Sequence, residues 1–362
     1  MSDPERATLA SVARQARVSR QTVSNVLNAP ERVRPATRER VLAVIDRQDY
    51  RPHQAARQLR TRRSRVIGLR IEPVRDGVNG VVLDRFLHAL TATAQDAGYR
   101  IMLFTAADDA AEVRAYDELI STLDTDAFVL TSTHHGDERT AWLRDHRVPF
   151  VTFGRPWGAE NQHSWVDVDG AAGTRAAVEH LVALGHRRIA FVGWPRGSGV
   201  GDDRWAGWRD GLAAHSLPAR GLDVQVLDGI EPGRRAAAQL LGGSTTATTP
   251  GARRAAGQPT GFVCASDSLA LGVLAELQHR GLRPGTDAAV IGFDDTPASA
   301  VIGLSSVTQP IAEVAVACVL QLRPLLDSDP DSNPDRDPTD RARQLLLPPV
   351  LAVRTSSAAP PP

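Results

Sequence analysis

The sequence predicts a small all-α N-terminal module carrying a helix-turn-helix, followed by an α/β body of two doubly wound parallel-sheet lobes. Three observations carry this expectation. Residues 1–65 hold 15 arginines against 6 acidic residues, a net +9, while the rest hold 27 against 36, a net −9, so the neutrality of the 362-residue chain sums two opposite parts. The first part spaces its apolar residues at helical intervals. The second alternates strand-length apolar runs with helical segments, the pattern of parallel sheets covered on both faces.

In the first part, Thr8 stands at an N-cap position before Leu9, Val12, Ala13 and Ala16. Ser19 caps a second helix with Val23, Val26 and Leu27 as its stripe, and the two helices with their tight turn form a helix-turn-helix over 8–28. Arg20, Gln21, Ser24 and Asn25 fall on the opposite face, the long or polar side-chain types that reach base edges in a major groove. A basic module presenting them points to a polyanion partner. A third helix, 36–49, follows Pro35 with Val41, Leu42 and Ile45 inward and Tyr50 closing it. A short helix over 52–60 starts at Pro52 and is too short to be stable alone. Arg60 to Arg65 is a basic linker.

In the second part, strands are expected at Val66–Ile71, Tyr99–Phe104, Ala127–Thr131 and Pro149–Phe153, separated by helices such as Asp84–Ala97 and Arg139–Asp145. A second series follows at Arg188–Val192, Val224–Leu227, Gly261–Cys264 and Ala288–Phe293. Two such lobes leave a cleft at the carboxyl ends of their strands. Gly242–Gly257 and Asp327–Asp340 read as loop insertions, and Leu345–Val353 reads as one final strand. That run is interrupted by Pro348 and Pro349 and is too short to span a bilayer; with no signal segment at the start, a cytoplasmic protein without membrane contact is expected. Cys264 and Cys318 read as core residues able to form at most one bridge.

Thr8-Leu9-Ala10-Ser11-Val12-Ala13 and Val18-Ser19-Arg20-Gln21-Thr22-Val23-Ser24-Asn25-Val26-Leu27-Asn28 are continued by Thr37 to Val41 and Tyr50-Arg51-Pro52. Farther on come Val166 to Gly170, Gly185 to Ala190, Arg204 with Gly207, Ala265-Ser266-Asp267 and Gly292-Phe293-Asp294-Asp295. In their order and spacing these motifs resemble the LacI/GalR family of transcriptional repressors, the first group its headpiece. The resemblance implies a headpiece over 1–62, with 52–60 as hinge helix, and an effector and dimerisation domain over 63–362. That domain would be periplasmic sugar-binding-protein-like, with an N-lobe of about 66–165 plus 305–326 and a C-lobe of about 166–300 plus 342–356. A homodimer would bind double-stranded DNA at a palindromic operator. Arg20, Gln21 and Asn25 would contact bases, and Ser19 and Thr22 phosphates. Leu59, with Ala56 on the same face, would wedge into the minor groove. Arg17 stands where the family usually has glycine, and Asn25 where many members have arginine.

The resemblance also implies a small-molecule effector, a mono- or disaccharide, that relieves repression of a carbohydrate-utilisation operon. Its expected contacts are Arg155, Trp194, Arg204, Ser266, Asp294 and Gln309, with Phe153, Trp157 and Trp165 adding aromatic surface; Gly154 replaces an acid found in relatives. The alternative within the same fold is a purine or other corepressor. An enzyme is not expected: after Gly197 and Gly199 the third glycine of a dinucleotide fingerprint is Asp202, and no P-loop or nucleophile elbow is present. His134 and His135 lack a spaced third ligand, so neither metal nor cofactor is expected. A pure transport-type binding protein would leave residues 1–65 unexplained.

Overall fold

The computed structural model describes residues 8–28, 30–48, 50, 63–71, 80–123, 125–158, 162–242, 257–327 and 342–357. The chain divides into two units, residues 1–64 and 65–362. The expected hinge helix, with Ala56 and Leu59, lies outside the described residues.

The first unit holds α1 (Leu9–Ala16), α2 (Arg20–Asn28) and α3 (Pro35–Arg47). Thr8 and Ser11 form a reciprocal capping box at the start of α1, at 3.1 and 3.0 Å. Arg17 ends α1 in the left-handed conformation, φ 53° and ψ 49°, and the Val18 amide closes back on the Ala13 carbonyl at 3.0 Å. Arginine therefore adopts the conformation that glycine would take there, at a cost of about 1 kcal/mol. Val12, Ala13, Ala16, Val23, Val26, Val41, Val44 and Tyr50 make the core. Leu42, expected inward, is 42% exposed because Val44 takes the buried position on α3. The third helix also ends at Arg47 rather than 49. Arg40 donates to the Ala16 carbonyl at 3.1 Å and Ser11 to Gln48 at 2.9 Å, fastening α3 to both ends of α1.

In the second unit, one sheet runs in the order β11 (Gln344–Leu347), β5 (Trp165–Val168), β4 (Phe150–Phe153), β3 (Ala127–Leu130), β1 (Val66–Arg70), β2 (Arg100–Phe104), all parallel. The other runs β12 (Val350–Ala352), β10 (Ser305–Thr308), β9 (Ala289–Phe293), β8 (Gly261–Cys264), β6 (Ile189–Gly193), β7 (Asp223–Gln225), parallel except for β12 against β10. Inner strands such as β3, β6, β8 and β9 are buried along their whole length, as strands covered on both faces must be.

Helices α4 (Gly80–Asp96), α5 (Asp109–Leu123) and α6 (Glu138–Asp145) belong to the first lobe. So does α12 (Ile311–Asp327), whose Val314, Cys318 and Leu322 pack with Phe86 and Leu90 of α4. Helices α7 (Gly170–Ala183), α8 (Val200–Ala214), α9 (Ile230–Leu240), α10 (Asp267–His279) and α11 (Pro297–Val301) belong to the second. At Gly272 of α10 an added Cβ would lie 2.1 Å from the Ile230 carbonyl, so a hydrogen side chain is what lets α9 and α10 approach. Cys264 and Cys318 are both buried free thiols in separate cores. No helix among the described residues is long and apolar enough to cross a membrane.

Two expectations about the lobes are corrected. The run Leu345–Val353 is not one strand: Pro348 and Pro349 cannot donate to a ladder, and β11 and β12 on either side join different sheets. Consequently β10 belongs to the second lobe rather than the first, while β11 and all of β5 belong to the first. The chain crosses between lobes at Asp169, at Gln309–Pro310 and at Pro348–Pro349.

Candidate DNA interface and effector cleft

In the first unit, Arg20 and Gln21 are exposed while Thr22 and Asn25 are half-buried on α2. Ser19 accepts from the Thr22 amide at 3.0 Å, the cap expected for this helix, and its hydroxyl also meets that of Thr22 at 2.9 Å. Gln21 donates through Nε2 to Asn25 Oδ1 at 3.0 Å. Ser19, Arg20, Gln21, Thr22 and Asn25 thus sit on one short helix and its cap. The opposite face, Val23 and Val26, is fixed in the core, so the polar face is turned outward by packing.

In the second unit, the site residues cluster where strands end. Gly154 to Trp157 follow β4, Trp194 follows β6, Ser266 follows β8 and Asp294 follows β9, while Arg204 comes from the first turns of α8. Parallel sheets place ligands at such carboxyl ends. Arg204 is 5% exposed, stacks its guanidinium 3.6 Å from the Phe293 ring centroid and 5.1 Å from that of Trp194, and donates to the Ala265 carbonyl. Asp294 Oδ1 lies 3.6 Å from Arg204 Nη1 and accepts from Gln309 Nε2 at 2.7 Å. Burial pushes the Asp294 carboxyl up to about 7, against the lowering pull of Arg204. Asp294 also holds φ at 102°, a left-handed strain of the kind that collects at functional sites.

Around this trio, Arg204 Nε and Trp194 Nε1 are buried without a hydrogen-bond partner among the described residues. Buried donors of this kind are uncommon, and here they adjoin one another.

Arg155, at the end of β4, is engaged by two carboxylates. Its Nε donates to Asp167 on β5 at 2.8 Å and its Nη2 to Asp203 on α8 at 2.8 Å, so it bridges the two lobes. Burial raises Asp167, with Arg155 opposing the rise. A second bridge runs from Arg85 of α4 to the Asp295 carbonyl at 2.9 Å. A third is steric: Trp157 lies against Gly199, where a Cβ would meet its indole nitrogen at 2.5 Å. Gly154 has φ 122°, and a Cβ there would lie 2.3 Å from Thr133 Oγ1, so this turn as it stands leaves no room for a side chain.

Ser266 is engaged too. It is 1% exposed, donates to Asp228 at 2.5 Å and caps α10 by accepting from the Leu269 amide at 3.2 Å. Its hydroxyl therefore orients Asp228 and α10. Trp165 is a core residue of β5, and Phe153 packs on Phe86 at 4.9 Å, leaving Trp157 and Trp194 as the cleft aromatics. Asp203, Asp228 and Arg85 escaped the sequence reading, since isolated charged residues far apart carry no spacing signal. In the sequence Asp267 stands out only as part of a motif. It proves to be a buried hub accepting from Ser306 at 2.6 Å and from the Thr296 amide at 2.7 Å.

His134 does find further ligand-type neighbours. Asp109, His134 and Asp137 each bring one ligand atom within 4.8 Å of the others. Arg139, 1% exposed, already binds Asp137 at 2.7 Å and Glu112 at 2.9 Å, and Arg70 binds Glu112 at 2.5 Å. The cluster is an ion-pair network holding its own cations. A separate open groove of about 860 Å³, lined by Asp84, Arg85, His88, Ile311 and Val350 among others, meets the cleft residues only at Gln309.

Comparisons with known proteins agree with both parts. Residues 8–53 match the bacterial regulatory proteins of the lacI family, and residues 178–357 a periplasmic binding protein-like domain. The HTH-type transcriptional regulator CelR of Thermobifida fusca is 33% identical over 315 residues, 84% of this chain and 87% of that protein. Among solved structures, the lac repressor dimer bound to operator and the anti-inducer ONPF is 26% identical with a TM-score of 0.77, covering 98% of this chain and 100% of that one. A CelR–cellobiose complex is 28% identical with a TM-score of 0.66, covering 97% and 100%. With a capped helix-turn-helix ahead of two parallel-sheet lobes and relatives this similar over most of its length, the chain belongs to the LacI family of bacterial transcription regulators, DNA-binding proteins and not enzymes.

Proposed function

We propose that this regulator represses a carbohydrate-utilisation operon, binding a palindromic operator as a dimer and releasing it when an uncharged mono- or disaccharide enters the interlobe cleft. The observation that carries the reading is the group at the strand ends: Asp294 and Gln309 beside two buried donors, Arg204 Nε and Trp194 Nε1, that have no partner among the described residues. Saccharide hydroxyls accept and donate at once, so they suit a mixed set of this kind, and an indole face suits the C–H side of a sugar ring. The relatives support the class: a solved CelR structure is a complex with cellobiose, and the lac repressor structure is a dimer on operator.

Charge narrows the ligand further. Asp167, Asp203, Asp228 and Asp294 outnumber Arg155 and Arg204 around these strand ends. A phosphate would add about two negative charges beside Asp294, which burial first of all, and the carboxylates of Asp267 and Asp228 after it, already push up against the pull of Arg204. An uncharged ligand avoids that cost.

The mechanism is linkage. The ligand acts only through its different affinity for two lobe arrangements, and whatever it gains by one arrangement is lost to operator binding in the other. Ser19, Arg20, Gln21, Thr22 and Asn25 would hold the operator, with Ala56 and Leu59 at its centre. Titration calorimetry of the full chain against neutral mono- and disaccharides, sugar phosphates and purines tests the cleft. A neutral saccharide should bind and the phosphates should not; binding of a purine alone would put the corepressor reading in its place.

A further inference from the structure

The bond between Gln21 and Asn25 has a consequence for which base the regulator reads. A glutamine amide presents two N–H donors and one carbonyl acceptor in a single plane. One donor of Gln21 is committed to Asn25 Oδ1, one helical turn later, at 3.0 Å. Giving Asn25 the N–H anti to Oε1 leaves the second N–H and Oε1 side by side on an exposed residue of α2. Adenine offers the matching pair in the major groove, an N7 acceptor next to an N6 donor, whereas guanine offers two acceptors. A lone glutamine can turn its amide over and exchange donor for acceptor. Bonded to Asn25 Oδ1 as it is here, it presents one order.

We propose that Asn25 is a positioning residue that fixes the amide of Gln21, so that Gln21 reads an adenine in each operator half-site. The inference rests on α2 being the helix that enters the major groove. An arginine at position 25 would offer donors only and would add a preference for guanine. Asparagine contributes by orienting its neighbour.

The test is selection of bound sequences from a randomised duplex pool by the full-length protein, followed by affinity measurements on single-base variants of the selected site. The wild type should select an adenine whose replacement weakens binding on the order of tenfold. Gln21→Ala should abolish preference at that base alone. Asn25→Ala should reduce the same preference several-fold and leave other positions unchanged. Asn25→Asp keeps an acceptor in place, so it should keep the adenine preference while weakening binding to every sequence through repulsion by the phosphates. Asn25→Arg should bring in guanine. Equal circular dichroism and thermal unfolding of the variants exclude misfolding. An unchanged adenine preference in Asn25→Ala, or its loss in Asn25→Asp, overturns the positioning role alone. Selection of no sequence by the wild type, or no altered position in Gln21→Ala, overturns the assignment of α2 as well.

Discussion

Arg155 joins the two lobes through Asp203, and cutting that joint separates a latch from a ligand contact. The bond is 2.8 Å long between side chains only 17% and 15% exposed. Such a pair is worth more than one on the open surface, about 2 kcal/mol net for a charge-assisted hydrogen bond. At about 1.4 kcal/mol per factor of ten, removing it shifts the balance between closed and open lobes by roughly 30-fold. A ligand that needs the closed arrangement loses apparent affinity in proportion to the population withdrawn from it. Arg155→Gln and Asp203→Asn should each weaken saccharide binding by up to roughly 30-fold, and the double variant should be no weaker than either, because the two residues act through one bond. Calorimetry measures the affinities, and small-angle scattering of the ligand-free variants should register a larger radius of gyration. Losses that multiply towards roughly 900-fold would refute the latch, since only independent contacts combine in that way.

Four further outcomes follow from the cleft and from the packing of α9 on α10. Arg204→Ala leaves Asp294 without its cation and should cost saccharide affinity at least about 30-fold while operator binding persists; a variant that still responds normally to effector, read by DNA-binding anisotropy, would remove Arg204 from the site. With Asp294 raised to about 7 by burial, and saccharide hydroxyls donating to its ionised form, affinity should climb as pH rises from 6 to 8 and then level off. Asp294→Asn should flatten that profile. The same raised value means the group binds its proton more tightly folded than unfolded, so its contribution to stability declines as pH rises from about 4 towards 7. Gly272→Ala forces a methyl to within 2.1 Å of the Ile230 carbonyl, and backbone at that contact cannot swing aside. It should cost about 1–3 kcal/mol, visible in calorimetry as a Tm several degrees lower; an unchanged Tm would mean that α9 and α10 are not so closely packed.

Much of this architecture was legible because it is written in local spacing. The caps at Thr8 and Ser19, the tight turn between the two helices and the alternation of strands and helices depend on residues within a few positions of one another. Arg204, Asp294 and Gln309 were also identified together, through motifs, and the structure brings them within bonding reach. Spacing failed where the answer depends on which sheet a strand joins. Nothing in Leu345–Val353 alone says that its halves serve two lobes, although Pro348–Pro349 marks where a ladder must break. It failed again for side chains that are polar for structural reasons. Ser266 resembles a ligand contact in sequence and is spent on a helix cap and on Asp228. Arg155 resembles one too, yet its partners, Asp167 and Asp203, lie 12 and 48 residues away.

On the proposed mechanism, saccharide in the cleft and operator at the headpiece compete through one equilibrium. The most direct test is fluorescence anisotropy of the selected operator with the full-length protein at fixed salt, titrated with the saccharide that binds in calorimetry. Operator affinity should fall by a factor on the order of 5–150, and saturating operator should weaken saccharide binding by the same factor, as reciprocity requires. A saccharide that occupies the cleft and leaves operator affinity unchanged, or strengthens it, would contradict the account.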